Sequence, residues 1–417
     1  MNFQDCIVLY GPDLVPYRCD RFQVKGDTIH SIELREPCRS INSGALVIIP
    51  GLINSHTHMG DACLPDGATG MTLEQGFFRP NGYKYRELAK RSEAEHYAHI
   101  DNHLRYMART GTVCHIDFRE QGAYGSQLLR RASTETGVRS VVLGQFEELP
   151  FTTEELTANE ARLGEEAIAT LKAILQTADG FSESTMNDLT DPAWQQIYEI
   201  TQQQHKLRAI HCLENAGYRE ESIRITGRGD LARALDLYKP DLVIHATVAN
   251  ASEIERLSTD AVNVVLNPRA NSNLGLPLAP IAQLLTGNAN CLLGTDNGLL
   301  NSPNLFAELD FTYKIAKSQF GNATEPDPAD VLKMATSNIQ GVIDADTYGY
   351  LAPGLPADFV VLNFHQPHLR ASRHIVASVV TRVTPDDVLA TVRQGQVLFS
   401  APDFDMAEYS NFYSQLS

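Results

Sequence analysis

The sequence lacks an excess of basic residues. Its 417 residues include 34 Lys and Arg against 51 Asp and Glu, which gives a formal net charge of −17 at pH 7. A field of this sign repels phosphate backbones and anionic lipid head groups. We therefore expect neither a nucleic acid nor a membrane surface as the partner. A few local residues can still reverse the sign of the charge inside a pocket.

The sequence also lacks the features of a secreted or membrane-bound protein. Its seven cysteines are odd in number and scattered, and no CxxC pair occurs, so they predict reduced thiols rather than a disulfide framework. The first residues, MNFQDCIVLYGPD, contain no basic segment followed by a long apolar one, as a signal peptide would. No run approaches the roughly 18 apolar residues that span a bilayer. These absences predict a cytoplasmic protein.

The two ends of the chain differ in pattern from its middle. Short β-type runs occur near both termini, at residues 6–10, 22–34, 358–363, 375–383 and 388–399. Isolated hairpins are only marginally stable, so these runs predict one small sheet domain built from both ends. Between them, short apolar runs alternate with longer segments of helical period, such as 85–109, 160–178, 192–205 and 304–317.

The alternating middle predicts the fold class. The apolar runs are at 52–55, 112–117, 138–143, 180–182, 207–210, 241–244, 262–266 and 291–294, of which 180–182 is the weakest. Eight such units favour an α/β fold with a (β/α)8 TIM barrel over an open, doubly wound sheet. The predicted domains are a barrel at 50–355 and a small composite β-sandwich, made from 1–49 and from 356–417 with its tail.

Several apolar runs end in a polar residue suited to metal binding. These residues are His56, His58, His211, His245 and Asp296. The carboxyl ends of barrel strands converge on one face, so these side chains should meet around one point. Residues i and i+2 of a strand point the same way, which lets the first two imidazoles share an ion. Imidazole and carboxylate ligands suit a divalent transition metal such as Zn²⁺.

Glu214 follows His211 by three residues and predicts a proton carrier. A carboxylate there is placed to accept a proton from an activated water and return it to a leaving group. Cys212 lies between them, but its side chain should point to the opposite side of the strand. We therefore expect a buried thiol rather than a metal ligand.

These motifs resemble the amidohydrolase superfamily in consistent order from about residue 45 to 365. PGLINSHTH (50–58) is similar to its first-strand signature, and HCLE (211–214) to the HxxE of its metal-dependent deaminase branch, which includes cytosine and guanine deaminases and chlorohydrolases. His245 and LGTDN (293–297) resemble its sixth- and eighth-strand motifs, and NPRANSNL (267–274) the segment after strand seven. GYLAPGLPADF (349–359) resembles the return to the small β domain.

The resemblance implies a one-metal site. Two-metal relatives are typically bridged by a carbamylated lysine of the fourth strand, and residues 178–184 contain no lysine, although Glu183 is available. In the one-metal type, the ligands would be His56, His58, His211 and Asp296. Glu214 would move protons, His245 would orient the water, and Asp296 would also accept its proton. The metal would be Zn²⁺ or, as a second choice, iron, with one ion per chain.

The implied reaction is hydrolysis of a C–N bond with release of ammonia from a small, heterocyclic substrate. Two other interpretations stay open. The same metal chemistry serves hydrolases that displace an amide, halide or thioether group. A non-catalytic barrel homologue is the second alternative, but it would be expected to have lost ligands, and all the expected positions are filled.

Residues just beyond other strand ends are candidates for substrate contacts. They are Arg119, Gln145 and Arg269, each with the alternative of an ion pair within the barrel rim. The Gly-rich segment 59–85 carries Phe77, Phe78, Arg79, Tyr83 and Tyr85, and we expect a lid that stacks on an aromatic substrate. His96, His99 and His103 predict a helix-packing or dimer face, and His115 fills the barrel. A homodimer is the default expectation for a barrel of this size.

Overall fold

The computed structural model describes residues 1–343 and 348–405. The part of the predicted tail from 406 to 417 lies outside the described residues. Seven strands from the two ends of the chain form one mixed sheet, in the order β16-β15-β14-β4-β1-β2-β3. The strands are β1 (Asn2–Tyr10), β2 (Val15–Lys25), β3 (Thr28–Pro37), β4 (Leu46–Pro50), β14 (Phe359–Asn363), β15 (Val388–Arg393) and β16 (Gln396–Ser400). Turns at 26–27 and 394–395 connect β2 to β3 and β15 to β16 as antiparallel hairpins.

This terminal sheet curls around its own apolar core. The rings of Phe22 on β2 and Phe359 on β14 lie 5.2 Å apart, although two strands separate β2 from β14 in the sheet. Neighbouring strands are about 4.8 Å apart, so a flat sheet would hold these rings at roughly three times that distance. Phe3 contacts both rings. A division into a separate sandwich domain with the predicted boundaries stays a prediction.

The middle of the chain forms a closed parallel barrel. Its strands are β5 (Leu52–His58), β6 (Thr112–Arg119), β7 (Arg139–Gly144), β8 (Gly180–Glu183), β9 (Leu207–Cys212), β10 (Leu242–His245), β11 (Asn263–Leu266), β12 (Cys291–Leu293) and β13 (Asp296–Asn297). The last two are halves of one interrupted strand, because β12 pairs with β11 and β13 pairs with β5. All eight apolar runs predicted for the barrel, including the weak run at 180–182, are strands. The (β/α)8 prediction is confirmed.

Helices follow the barrel strands and pack outside them. They are α1 (Leu73–Phe77), α2 (Tyr83–Leu88), α3 (Glu93–Arg109), α4 (Gly122–Thr136), α5 (Thr153–Ala158), α6 (Glu165–Thr177), α7 (Asp191–Gln203), α8 (Ala216–Thr226), α9 (Asp230–Arg233), α10 (Ala251–Thr259), α11 (Pro268–Asn273), α12 (Ile281–Thr286), α13 (Leu305–Phe320), α14 (Pro328–Lys333) and α15 (Ile375–Thr381), with a π-helical turn at Ala234–Tyr238. Among the described residues, no helix is long and apolar enough to cross a membrane.

Two predictions of secondary structure are wrong. The helix expected over 85–109 is two helices, because the capping box of Ser92 and Glu95 starts α3 after α2 has ended. The β-branched run at 375–383 is helix α15 rather than a strand. Its apolar residues 375, 376, 379, 380 and 383 are spaced by a helical period and are buried against α13 and α14. Burial of that face outweighs the modest β preference of valine and isoleucine.

Candidate metal centre

The barrel brings the predicted metal ligands together at the carboxyl ends of its strands. Donor atoms of His56, His58 and His211 lie within 4.8 Å of one another, and so do those of His56, His245 and Asp296. The Oδ1 atom of Asp296 is 3.2 Å from Nε2 of His56 and 3.6 Å from Nε2 of His58. All five side chains are buried. Residues up to 240 positions apart in sequence thus surround one point.

Close packing between the first and last strands sets this geometry. Asn54 donates from Nδ2 to Thr295 Oγ1 at 2.7 Å and accepts from the Thr295 backbone N at 3.0 Å. A Cβ atom on Gly294 would lie 2.5 Å from the Cβ atom of His56, so only glycine permits this approach. The backbone of Asp296 is left-handed, with φ 64°, and that of His245 also, with φ 78°. Such backbone strain at non-glycine residues is concentrated at functional sites.

Hydrogen bonds orient two of the histidine rings. Nδ1 of His58 lies 3.0 Å from both the Phe118 carbonyl oxygen and Glu120 Oε1. Nδ1 of His211 lies 3.0 Å from the carbonyl oxygen of Glu183. When each Nδ1 carries the proton and donates it to oxygen, the Nε2 atom of the same ring has a free lone pair that can bind a metal ion. His245 is held at Nδ1 by the amide of Asn271, at 3.1 Å.

The donor set fits a divalent metal ion. Both ring nitrogens of His56 are buried and make no hydrogen bond of acceptable geometry within the described structure. Burying such a group without a partner costs free energy, and an ion at Nε2 would supply the partner. Burial lowers the pKa of His56 to about 3 and that of His211 well below its ordinary value, so both imidazoles are neutral. Three imidazoles and one carboxylate match the ligands of Zn²⁺ sites.

The two carboxyl groups at the site, Asp296 and Glu214, have pKa values shifted in opposite directions. Burial alone would raise the pKa of Asp296, but His56 beside it holds that pKa below its ordinary value, so the carboxylate is ionised. Burial also raises the pKa of Glu214, whose Oε1 lies 3.7 Å from Nε2 of His245. Glu214 is therefore a carboxyl group that retains its proton more readily than one in water. The site pairs an ionised carboxylate with a protonatable one.

Glu183 does not face the predicted ligands with its carboxylate. It pairs with Arg79 of the segment 59–85, and its Oε1 accepts a hydrogen bond from the Phe146 backbone N at 2.9 Å. The bridging role left open for Glu183 therefore has no support in this arrangement. Cys212 is buried in the core between barrel and helices, as its position in the strand predicts. His115 is buried within the barrel and bonds to Ser140 at 2.6 Å.

The structure places the three predicted substrate contacts away from the metal cavity. Arg119 is fully buried and donates to the Gly125 carbonyl oxygen, Glu120 and Gln121, so its assignment is corrected to the internal ion pair that was the alternative. Gln145 accepts from Arg79 at 3.0 Å. Arg269 lies 3.6 Å from the buried Glu308. None of the three side chains lines the cavity at the metal site.

The segment 59–85, which we call the lid segment, does cover the metal site. A cavity of about 40 Å³ at the site is lined by His58, Leu73, Phe77, Lys84, Tyr85, Ser184, His211, Glu214, Tyr218, His245, Leu274, Asp296 and Asn297. Tyr218 of α8 stacks on Phe78 of the lid segment, with ring centroids 5.3 Å apart. On the other side of this aromatic pair lies a cavity of about 340 Å³. Lys84 and Tyr218 were not predicted as site residues, because no spacing signal marks them.

Comparison with known proteins agrees with this site. The model of the amidohydrolase family matches residues 47–398, and the chain belongs to that family. An uncharacterized protein of Methanocaldococcus jannaschii is 30% identical over 352 residues, covering 82% of this chain and 85% of that protein. The 5-methylthioadenosine/S-adenosylhomocysteine deaminase of Caldicellulosiruptor saccharolyticus is 22% identical over 416 residues, covering 94% and 93%. The family predicted from the motifs is confirmed.

Solved structures share the fold. An adenosine deaminase from Xanthomonas campestris with bound zinc superposes with a TM-score of 0.80 at 20% identity, covering 98% of this chain and 97% of that one. Atrazine chlorohydrolase from Arthrobacter aurescens, complexed with zinc, superposes with a TM-score of 0.80 at 16% identity, covering 96% and 95%. Both therefore share the fold of this chain, although one is named a deaminase and the other a chlorohydrolase.

Proposed function

We propose that this protein is a metal-dependent aminohydrolase, which replaces an amino group of a small heterocycle by a carbonyl oxygen and releases ammonia. One observation carries the proposal: buried imidazoles and an ionised Asp296 surround one point, with the protonatable Glu214 lining the same cavity. Members of the same family that align over nearly the whole chain are named deaminases. Their named substrates make 6-aminopurine nucleosides, such as 5-methylthioadenosine and S-adenosylhomocysteine, the first class to test.

A single divalent ion would be held by His56, His58, His211 and Asp296. When bound, such an ion lowers the pKa of a water ligand towards 7 and so makes a nucleophile available at neutral pH. We propose one ion per chain, with Zn²⁺ preferred over iron, because these ligands suit both metals and zinc accompanies the two superposed structures.

The protein side chains supply proton transfer and orientation. Glu214, whose pKa is raised by burial, donates a proton to the ring nitrogen or to the departing amine. His245 and Asp296 hold the attacking water in line, and Asp296 accepts its proton. Two carboxyl groups with oppositely shifted pKa values can divide the acid and base roles of one reaction.

Substrate must displace part of the lid segment on entry. The cavity of about 40 Å³ at the site is far smaller than the roughly 300–1,000 Å³ of pockets that hold small-molecule ligands. The 340 Å³ cavity beyond Tyr218 and Phe78 provides the additional volume once that aromatic pair separates. We propose that the pair then stacks against the planar ring of the substrate.

Metal analysis and ammonia release test this function together. Purified protein should carry about one zinc or iron per chain and should release ammonia from at least one member of a panel of purines, purine nucleosides, pyrimidines, pterins and triazines. Glu214→Gln should lower turnover by about 10²–10⁴-fold while the metal content stays at the wild-type level. Two metals per chain, or full activity of the variant, would contradict the assignment of roles.

A hydrolase that releases a group other than ammonia is the second candidate. It is favoured by the superposition with a chlorohydrolase, since only the residues around the substrate would distinguish the two reactions. A metal-loaded protein that releases no ammonia from the panel but releases chloride from a chlorinated triazine would decide for this candidate.

We further propose a cytoplasmic location for the protein. All seven cysteines are free thiols, and six of them are buried, which suits a reducing compartment. A homodimer stays the default expectation, to be tested by sedimentation. For the terminal sheet, the curl around Phe3, Phe22 and Phe359 supports a small β-sandwich at 1–49 and 356–417 outside the barrel at 50–355.

A further inference from the structure

Lys84 of the lid segment is a buried cation beside the metal site. Only 2% of the residue is exposed. Its Nζ forms an ion pair with Glu120 Oε1 and lies 3.2 Å from Asp61 Oδ2. Burial alone would lower the pKa of Lys84, but these two carboxylates raise it, so the amine stays charged. A lysine buried to this degree needs such partners to offset its desolvation.

Each carboxylate held by Lys84 supports a different predicted ligand. Glu120 Oε1, the atom that pairs with Lys84, is also 3.0 Å from Nδ1 of His58. Asp61 accepts from Asn297 Nδ2 at 2.6 Å and from the Leu299 backbone N at 3.1 Å. Asn297 directly follows Asp296, whose backbone is left-handed, and Leu299 lies three residues after it. The ion pairs therefore reach both sides of the ligand set.

We propose that Lys84 is a positioning residue of the metal centre: through Glu120 and Asp61 it fixes His58 and the Asp296 segment, so that metal retention depends on the lid segment. The inference rests on the metal site of the proposed function and is independent of the substrate. Without the lysine, Asp61 loses its ion pair with Lys84, and Glu120 keeps only the longer one with Arg119, at 3.3 Å, so both carboxylates are free to shift away from their present hydrogen bonds.

The second buried cation of the lid segment repeats this arrangement. Arg79 pairs with the carboxylate of Glu183 and donates to Ser184 Oγ at 3.1 Å. The backbone carbonyl of Glu183 is the partner of His211 Nδ1, at 3.0 Å. Each lid cation thus contacts the residue that orients one histidine ligand. A chance ion pair would explain one such connection but not both.

Zinc release to a chelator tests the inference without measuring turnover. Lys84→Met should release zinc about 10–100-fold faster than wild type, the range found when the partner of a metal-binding histidine is removed. Lys84→Arg, which keeps the charge, should lie between the two. Lys90→Met is the matched control, because Lys90 is exposed beside α2 and pairs only with Glu87 in the described structure; it should behave as wild type.

The absorption spectrum of the cobalt-substituted protein gives a second readout. A positioning role predicts a changed ligand-field band in Lys84→Met, partly restored in Lys84→Arg. Zinc release and cobalt spectra equal to wild type would overturn the inference. If Lys84→Met does not fold, Glu120→Gln and Lys84→Arg decide by the same two measurements, and wild-type behaviour of both overturns it. Wild-type protein that binds no divalent ion would overturn the metal site as well.

Discussion

The strand ends of the barrel and the lid segment reach the same metal site by different kinds of interaction. His56, His58, His211 and Asp296 point into it because strand alternation and barrel closure give them no other direction. Lys84 and Arg79 reach it through carboxylates, across a long segment with only short helices. The comparison teaches that the barrel strands supply the candidate metal ligands, whereas the orientation of these ligands also depends on the lid segment.

The largest effect is expected for the proposed metal ligands at the strand ends. Two adjacent residues of β9 provide the test. His211→Ala should lose the stoichiometric metal and reduce turnover at least as much as the about 10²–10⁴-fold expected for Glu214→Gln, because a ligand is removed. Cys212→Ser should keep the metal, since that side chain faces the core between barrel and helices. Metal content by elemental analysis checks both. Equal metal content in the two variants would contradict the assignment of His211 as a metal ligand and Cys212 as a buried thiol.

A smaller effect is expected for the aromatic pair that covers the site. Tyr218→Ala removes the stacking partner of Phe78 and of the proposed planar substrate, and such contacts contribute about 0.5–1.5 kcal/mol. We expect KM to rise by about 2- to 13-fold with a smaller change in kcat. Steady-state kinetics on an active substrate of the panel checks this. Tyr124→Ala, at an exposed tyrosine of α4, is the control. A drop in kcat at constant KM would argue for a chemical role of Tyr218 instead.

The smallest effect concerns the barrel rim and its pH dependence. Burial raises the pKa of Glu308 to about 7, from an ordinary value of 4.5. The folded protein therefore favours the protonated form, and this group's contribution to stability is present below pH 4.5 and is lost as the pH rises through 7. Glu308→Gln should flatten the stability profile between pH 4.5 and 7 while metal content is unchanged. Denaturant unfolding at several pH values checks the slope.

A steeper profile in Glu308→Gln would contradict the assigned direction. The Glu308→Gln variant also tests the role of Arg269. Arg269 pairs with Glu308, and its backbone N donates to Glu308 Oε1 at 3.0 Å. A structural rather than substrate-binding role for Arg269 predicts that KM changes little when its partner is replaced.

How much of this protein was predictable differs from element to element. The weak run at 180–182 is a barrel strand as predicted, because the repeating order of strands and helices constrains even a short segment. The run at 375–383 has the composition of a strand, but it folds as α15, because α13 and α14 offer an apolar surface to a helical face. Arg119 shows the same limit at the site: its position after a strand is visible, but the Gly125 carbonyl that binds its guanidinium is not.

The sequence by itself determined the barrel, the candidate ligands at the ends of its strands, and the family to which the chain belongs. These follow from local periodicity and from motifs whose residues are few and closely spaced. Only the tertiary structure decided that Lys84 lines the cavity at the site, whereas Arg119 is held by Gly125, Glu120 and Gln121. A buried charge is located by the carboxylates that offset its desolvation, and those carboxylates come from segments far away in the sequence.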